Sequence, residues 1–245
     1  MSDLIISYFP SKFEYKTYVE GFGGGASILF KKQPDPIEIY NDLDKNVYSV
    51  FKVLSDKNMF QRFKEKLDLT PYSREIWAEY KADLSKDLDL EERAYKFFYV
   101  NKSSFNGVGG WSMTQNDSRR GMMKSISDYL STVDRLTEYH QRISRVAIEN
   151  LDVLDLMEKY DGEKTLFYLD PPYVQSTRKS NQRYREEFED NQHMKLIDMC
   201  NKSKAKIIIS GYDHPIYDNL VGFTKIQFES PNAHSDAIET LWKNY

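Results

Sequence analysis

The first 56 residues alternate between short continuous apolar runs and apolar residues at helical spacing. Residues 17–22 (TYVEGF) and 37–42 (IEIYND) predict two buried strands, because each is a short apolar run that ends at polar or glycine residues. Apolar side chains recur at i, i+3, i+4 and i+7 within residues 43–54, and residues 2–9 show a similar spacing, so both segments are predicted helices. Strands that alternate with helices through short connections favour parallel pairing in an α/β sheet.

The middle of the chain has a different pattern. Residues 57–145 consist mainly of charged, helix-favouring segments interrupted by the loop FNGVGGWSMTQNDSRR, and strand-like runs resume only afterwards. We therefore predict one α/β domain built from residues 1–56 and 146–245, with residues 57–145 inserted as a mostly helical unit. The later predicted strands are RVAIENLD, TLFYLD, AKIIISGY, FTKIQFES and TLWKNY, and DNQHMKLIDMCNK is a predicted helix.

Composition narrows the class of protein without choosing a function. The chain of 245 residues is 40% hydrophobic and has a formal net charge of −4, which argues against non-specific coating of nucleic acid. Its single cysteine, Cys200, excludes a disulfide framework and lies among apolar residues of a predicted helix, so we expect it in the core. With no membrane-length apolar run and no signal peptide, we expect a soluble cytoplasmic protein. The four histidines lack ligand spacing, so no metal site is expected.

A glycine-rich turn follows the first predicted strand in the segment YVEGFGGGAS. Consecutive glycines let the backbone approach a ligand closely and aim the amides of the next helix at it. The turn is not a P-loop, because no Gly-Lys-Ser/Thr follows. Asp42, about 20 residues further on, is where a carboxylate would hold a ribose diol in a dinucleotide fold. The pattern favours a nucleoside-containing ligand, and the alternative for Asp42 is a helix N-cap.

The strongest chemical signal is the segment FYLDPPY. Proline cannot donate to a sheet ladder, so the strand is predicted to end at Asp170, with Pro171 and Pro172 fixing the backbone beyond it. The Asp170 carboxylate and the Pro171 carbonyl are two acceptors, whereas an exocyclic amine offers two donors. Together with the Tyr173 ring they form a site for a planar base that carries an amino group.

These two segments resemble the Dam-like, amino-methylating adenine-specific DNA methyltransferases. EGFGGGA resembles the family's first motif, Glu-Pro-Phe-x-Gly-x-Gly/Ala, and departs from it at Gly21, where proline is usual. The stretch from Asn41 to Asp44, the segment YVNKSSFNG and the tripeptide NLD also match family motifs, in the same order along the chain. The resemblance implies a Rossmann-like S-adenosylmethionine-dependent methyltransferase sheet, with residues 57–145 as a helical target-recognition insertion.

The resemblance also implies roles for individual residues. Asp170, Pro171, Pro172 and Tyr173 would be catalytic, and S-adenosylmethionine would be held by Glu20, Phe22, Gly23, Gly24, Gly25, Asp42, Asp152 and Asp170. Double-stranded DNA would be the substrate, held by Lys102, Phe105, Asn106, Arg119, Arg120, Lys124 and Arg178. Phe105 and Asn106 would fill the gap left by a flipped adenine, with a hydrophobic residue and a turn asparagine as the alternative. A cognate restriction enzyme is the further partner that such an enzyme can have.

Two neighbouring classes of function remain as alternatives. The family usually begins with an aromatic-x-Gly-Gly-Lys segment, which this sequence lacks, so one alternative is a DNA-binding relative with impaired catalysis. A nucleotide-dependent oxidoreductase would explain the glycine turn and Asp42 but leaves Asp170 to Tyr173 unexplained. Carbon-5 cytosine methylation is disfavoured, because its cysteine nucleophile typically follows proline and Cys200 follows Met199. Aspartate at position 170 favours adenine over cytosine as the methylated base.

Overall fold

The computed structural model describes residues 1–107, 109–114, 116–118, 120–174, 188–228 and 239–245. The strands, in chain order, are β1 (Thr17–Glu20), β2 (Ile37–Asn41), β3 (Ala147–Glu149), β4 (Thr165–Leu169), β5 (Lys206–Tyr212), β6 (Thr224–Phe228) and β7 (Glu239–Lys243). The helices are α1 (Ser2–Ser7), α2 (Ser27–Lys31), α3 (Lys45–Ser55), α4 (Lys57–Asp68), α5 (Arg74–Asp83), α6 (Leu90–Lys102), α7 (Lys124–Asp134), α8 (Leu136–Ile143), α9 (Val153–Tyr160) and α10 (Asp190–Lys202). Every strand and helix predicted from the sequence is therefore confirmed, and α9 is an addition.

The strands form one sheet in the order β3-β2-β1-β4-β5-β7-β6. The first five strands of that order pair in parallel, whereas β7 runs antiparallel to both of its neighbours. Parallel strands are covered on both faces, which explains the continuous apolar run of β4, where every residue is buried. The predicted Rossmann-like methyltransferase fold is confirmed by this mixed α/β architecture and by the family assignment given below.

The sheet belongs to the first of two compact units, Met1–Asp44 with Ala147–Tyr245. Its core combines strand residues such as Val19, Phe167 and Ile209 with side chains from α9 and α10. Cys200 on α10 is buried, as predicted, and burial raises the pKa of its thiol to about 12, so the thiol stays protonated at neutral pH. Helix α9 was missed because its apolar residues follow a predicted strand directly, with Asp152 as N-cap between them.

The second unit, Lys45–Val146, contains helices α3 to α8. Asp56 and Asp89 cap α4 and α6, because each carboxylate accepts backbone amide protons from the first helical turn. Helix α3 packs against α6 and α8 and falls within this unit, whereas the boundary predicted from the sequence lay after residue 56 and so grouped residues 45–56 with the sheet. None of the helices in the described ranges is long and apolar enough to cross a membrane.

Candidate active site at the carboxyl ends of the parallel strands

The strand order creates a crevice at the carboxyl edge of the sheet. Strand β1 pairs with β2 on one side and with β4 on the other. Successive strands are added on the first side up to β3 and on the second side from β4, so the strand order reverses at β1. Ligands of open α/β sheets bind outside the strand ends at such a reversal. Glu20 is in register with Tyr168, so the turn that follows Glu20 and the segment that begins at Asp170 lie side by side.

The glycine turn after β1 is tightly packed on one side and open on the other. A Cβ at Gly23 would lie 2.1 Å from the ring of Tyr40, so no larger residue fits there. Gly24 has a φ of +47°, and a Cβ at Gly24 or Gly25 would meet no atom within 4 Å. The Tyr40 hydroxyl donates to the Gly24 carbonyl at 2.7 Å, which fixes the turn from below. The open side therefore leaves backbone accessible to a ligand.

The amides of this turn are partly engaged within the protein. Gly23 donates its amide proton to the Asn41 carbonyl at 2.8 Å, and Gly24 donates to Asp42 Oδ2 at 2.7 Å. Helix α2 that follows has only five residues and begins after Ala26, whose φ is +53°. Fewer helix amides than predicted can therefore point at a ligand. The main feature of the turn is that Gly24 and Gly25 allow a ligand to approach the backbone closely.

Asn41, at the end of β2, joins three loops of the site. Its side-chain amide donates to the carbonyls of Gly21 at 3.0 Å and Leu151 at 3.1 Å, and its Oδ1 accepts from the Leu151 amide at 2.8 Å. The residue is 1% exposed, so these bonds are shielded from water. The sequence contained Asn41 within a family motif but gave it no role, because neither Gly21 nor Leu151 is near it in the chain.

Asp42 and Asp152 stand at the rim of the same crevice and are half-buried. The Asp42 carboxylate accepts from the Gly24 amide at 2.7 Å and from the Asp44 amide at 2.8 Å. Asp152 accepts from the Leu154 amide at 2.8 Å as the N-cap of α9. Carboxylate oxygens are hydrogen-bond acceptors, the kind of group that ribose hydroxyls and amines donate to. The alternative role predicted for Asp42 from the sequence was a helix N-cap. In the structure Asp152 is such an N-cap, whereas Asp42 accepts a hydrogen bond from the glycine turn.

Glu20 is a buried acid rather than an exposed carboxylate. It is 1% exposed, and the Tyr18 hydroxyl donates to its Oε2 at 2.7 Å. Burial raises the pKa of Glu20 to about 8, although the Tyr18 hydrogen bond and the nearby Lys32 ammonium lower it. Lys32 is itself buried between Asp35 and Glu38. At neutral pH Glu20 is therefore mostly a neutral acid beside the crevice.

The segment after β4 presents the Asp170 carboxylate at the edge of the sheet. Ser210 on β5 donates its hydroxyl proton to Asp170 Oδ1 at 2.8 Å, and the Tyr168 hydroxyl lies 2.9 Å from Ser210 Oγ. The surrounding protein raises the pKa of Asp170 to about 6 by desolvation, although the residue keeps exposed surface, and the Ser210 hydrogen bond lowers the pKa. Asp170 is therefore mostly ionised at neutral pH and able to accept a hydrogen bond.

Two aromatic pairs involve residues of the segments that follow β4 and β1. Tyr173 stacks on Tyr212 at the end of β5, with ring centroids 4.1 Å apart and an angle of 24° between the planes. Phe22, in the glycine turn, meets Phe188 edge to face at 5.4 Å. Pro171 is buried, whereas Tyr173 is half-buried. The sequence predicted a stacking role for Tyr173 but gave none to Tyr212, which lies at the end of a buried strand.

The predicted DNA-binding residues that the structure describes lie in the second unit. Phe105 is 65% exposed, and Asn106 after it has a φ of +52°, a conformation that asparagine tolerates. Asn101 holds this turn by donating from its side chain to the Gly107 carbonyl at 3.0 Å. Lys102 is exposed at the end of α6, and desolvation by nearby protein lowers the pKa of its ammonium.

Two further predicted phosphate contacts are paired with acids. Arg120 lies 3.3 Å from Asp134, and Lys124 pairs with Asp128. All four side chains are well exposed, so exchange of these partners for DNA phosphates costs little. Arg119 and Arg178, also predicted to contact DNA, lie outside the described residues.

Comparison with known proteins agrees with this geometry. A family model described as D12 class N6 adenine-specific DNA methyltransferase matches residues 1–231. No curated protein matches the sequence. Among the described residues, no group of three or more His, Cys, Asp or Glu side chains could hold a metal ion. Because the match covers most of the chain, from the glycine turn through the Asp170 segment, the chain belongs to the D12 class N6 adenine-specific DNA methyltransferase family.

Proposed function

We propose that the enzyme transfers a methyl group from S-adenosylmethionine to the exocyclic amine of an adenine that has been flipped out of double-stranded DNA. The observation that carries this proposal is the solvent-facing Asp170 carboxylate, which lies beside the stacked ring of Tyr173 and adjoins the glycine turn at Glu20. The site for the methyl donor and the site for the adenine that accepts the methyl group would thus share one sheet edge.

S-adenosylmethionine fits the glycine turn and its rim. The backbone at Gly23, Gly24 and Gly25 is closed on the Tyr40 side and open on the other, which leaves room for a ligand against the main chain. We assign Asp42 to the ribose hydroxyls and Asp152 to the adenine amine of the cofactor, because both are half-buried carboxylates next to Asn41 and Leu151, which join their loops to the glycine turn. Phe22, Glu20 and Asp170 would line the remainder of the cofactor site.

The target adenine fits the segment after β4. Asp170 and the Pro171 carbonyl would accept the two protons of its exocyclic amine, while Pro172 holds the backbone rigid. The Tyr173 ring, which stacks on Tyr212, would supply the aromatic surface for the base. Extrusion of the base is required because its amine is otherwise paired within the duplex.

The protein's part in the chemistry is to orient the adenine amine and receive its proton. Hydrogen bonds to Asp170 and Pro171 draw the nitrogen lone pair out of conjugation and aim it at the methyl group. When bound, S-adenosylmethionine supplies an electrophilic methyl group, whose bond to nitrogen forms as the electrons of the carbon–sulfur bond remain on sulfur. Asp170 can take the proton lost from the nitrogen and pass it to solvent, because its pKa is about 6 and it is exposed.

The second unit would hold the DNA. We assign Phe105 and Asn106 to the space left by the flipped base, since the exposed ring projects from a braced turn. Lys102, Arg120 and Lys124 are exposed cations suited to phosphates, and Arg119 and Arg178 are proposed for the same role from the sequence. A partner restriction enzyme would be consistent with site-specific methylation.

The reaction is tested with methyl-labelled S-adenosylmethionine and mixed-sequence genomic DNA, followed by digestion and identification of the labelled nucleoside. We expect labelled N6-methyl-2′-deoxyadenosine with the unchanged protein and none with Asp170→Ala. The matched control is Asp198→Asn, a solvent-facing aspartate on α10, which should retain full activity.

Label on cytosine would overturn the assignment of the base. Absence of label with the unchanged protein, together with measurable DNA binding, would favour the DNA-binding relative with impaired catalysis. Cofactor affinity, measured by calorimetry on the same samples, separates loss of cofactor binding from loss of the transfer step.

A further inference from the structure

The carboxylate proposed to accept the adenine amine is held by a side chain from the neighbouring strand. Strands β4 and β5 pair in parallel with Leu169 opposite Ile209, so Asp170 and Ser210 follow side by side at the carboxyl edge. The Ser210 hydroxyl donates to Asp170 Oδ1 at 2.8 Å. Ser210 is 7% exposed, so solvent competes little for this hydrogen bond.

A second hydroxyl fixes the direction of this contact. Tyr168 is 4% exposed, and its hydroxyl oxygen lies 2.9 Å from Ser210 Oγ. A serine hydroxyl has one proton, and an ionised carboxylate can only accept, so Ser210 must give its proton to Asp170. Tyr168 is then the donor to Ser210, and the three groups form a directed chain from Tyr168 through Ser210 to Asp170.

We infer that Ser210, itself held by Tyr168, is a positioning residue that fixes the orientation of the Asp170 carboxylate for the target amine. With Oδ1 engaged by Ser210, Oδ2 is the oxygen left for the adenine amine. Neither hydroxyl touches substrate in this arrangement, so both act through Asp170. The inference rests on the proposed function, because it requires Asp170 to accept the amine of adenine.

The hydrogen bonds from Tyr168 through Ser210 also affect the pKa of Asp170. Among the described residues, the titratable groups coupled electrostatically to Asp170 are Glu20 from β1, Tyr168 from β4, Tyr217 from the turn after β5 and Glu239 from β7. Burial raises the pKa of every one of these groups, so Glu20 and the two tyrosines are mostly neutral at pH 7. Desolvation also raises the pKa of Asp170, and the hydrogen bond from Ser210 opposes that rise.

The sign of the pH effect follows from this balance. Asp170 must be ionised to accept the amine, so the transfer rate falls as the pH drops through the pKa of about 6. Removal of the Ser210 hydroxyl raises that pKa, and the acidic limb of the rate profile moves to higher pH. The expected shift is about one to two pH units, from the usual strength of a hydrogen bond to a charged group.

The test is the single-turnover methylation rate as a function of pH for Ser210→Ala, Ser210→Thr and Tyr168→Phe. We expect Ser210→Ala to show the full upward shift and a rate at pH 6 that is about 5- to 50-fold lower. Ser210→Thr keeps a hydroxyl and should restore the unshifted profile, while Tyr168→Phe should shift it in the same direction by less. Cofactor and DNA affinities should remain within about twofold, because neither hydroxyl contacts a ligand.

Ser203→Ala is the matched control. Ser203 donates to Asp161 Oδ1 at 2.5 Å at the opposite edge of the same sheet, so the variant removes a serine–aspartate hydrogen bond of the same kind away from the site. Its pH profile should equal that of the unchanged protein. An unshifted profile in both Ser210→Ala and Tyr168→Phe, with the unchanged protein active, would overturn the inference alone. If the unchanged protein transfers no methyl group, the proposed function fails first and the inference with it.

Discussion

Asn41 offers the sharpest test of how the site is held together. Asn41→Ala removes three side-chain hydrogen bonds, two to backbone carbonyls and one from the Leu151 amide, at a position that is 1% exposed. At about 1 kcal/mol for each bond, the loss in the free energy of unfolding is about 3 kcal/mol. For a chain of this size that corresponds to a fall in Tm of roughly 6–12 °C.

The same substitution should weaken cofactor binding. Gly21 lies in the turn after β1 and Leu151 in the segment after β3, and both segments belong to the proposed cofactor site. Loops released from Asn41 must be ordered again on binding, and we expect the dissociation constant for S-adenosylmethionine to rise about tenfold, equivalent to ~1.4 kcal/mol. Asn41→Asp separates hydrogen bonding from volume. It keeps the acceptor for Leu151 but sets a carboxylate oxygen against two carbonyl oxygens, so it should be at least as damaging as alanine.

Asn244 provides a matched control in the same unit. Its side chain donates to the Ala205 carbonyl at 3.0 Å and accepts from the Ile207 amide at 2.8 Å, at the amino end of β5. Asn244→Ala should lower Tm, measured by circular dichroism, without changing the cofactor affinity measured by calorimetry. If Asn41→Ala changes both quantities no more than Asn244→Ala does, the account of Asn41 as the joint between the loops is wrong.

Two further predictions concern the strand that precedes the glycine turn and the turn itself. Gly23→Ala should abolish cofactor binding in calorimetry, because its Cβ would lie 2.1 Å from the buried ring of Tyr40. Gly162→Ala, away from the proposed site and with 3.9 Å to its nearest neighbour, should bind normally, and equal binding by both variants would contradict the packing argument. The pKa of Glu20 is about 8 in the folded state, against 4.5 for an unperturbed glutamate. Between these values the folded state holds a proton that the unfolded state has lost, so stability should fall as pH rises through this window. Glu20→Gln should remove a fall of a few kcal/mol between pH 5 and 8 in urea unfolding, and the same slope in both proteins would exclude Glu20 as its source.

Local patterns predicted the elements well because each element is encoded within a short stretch. Residues 37–42 form a short apolar run before polar residues, and β2 is found at Ile37–Asn41. The predicted helix DNQHMKLIDMCNK corresponds to α10 at Asp190–Lys202, whose start is fixed by reciprocal bonds between Glu189 and Gln192. The local pattern does not predict which unit a helix joins, because that depends on packing between distant segments. Helix α3, for example, groups with the helical unit because it packs on α6.

The same distinction separates what could be known of the candidate site. Asp170 and Tyr173 were identifiable because prolines mark the end of their strand within a few residues. Ser210 and Tyr212 carry no such mark, and their proximity to Asp170 and Tyr173 follows only from the pairing of β4 with β5. Strand order is a property of the whole chain, so partners supplied by a neighbouring strand are the residues that a single sequence does not reveal.

Glu20 illustrates the consequence for chemistry. The first motif assigned Glu20 to the cofactor, whereas the pairing of β1 with β4 buries it opposite Tyr168, two residues before Asp170. Burial raises the pKa of Glu20 above that of Asp170, and the charge of Asp170 raises it further. The more exposed acid, Asp170, therefore keeps the negative charge at neutral pH. A site that must accept hydrogen bonds from an amine needs one ionised carboxylate. The neutral state of Glu20 and the ionised state of Asp170 follow from burial and strand order together.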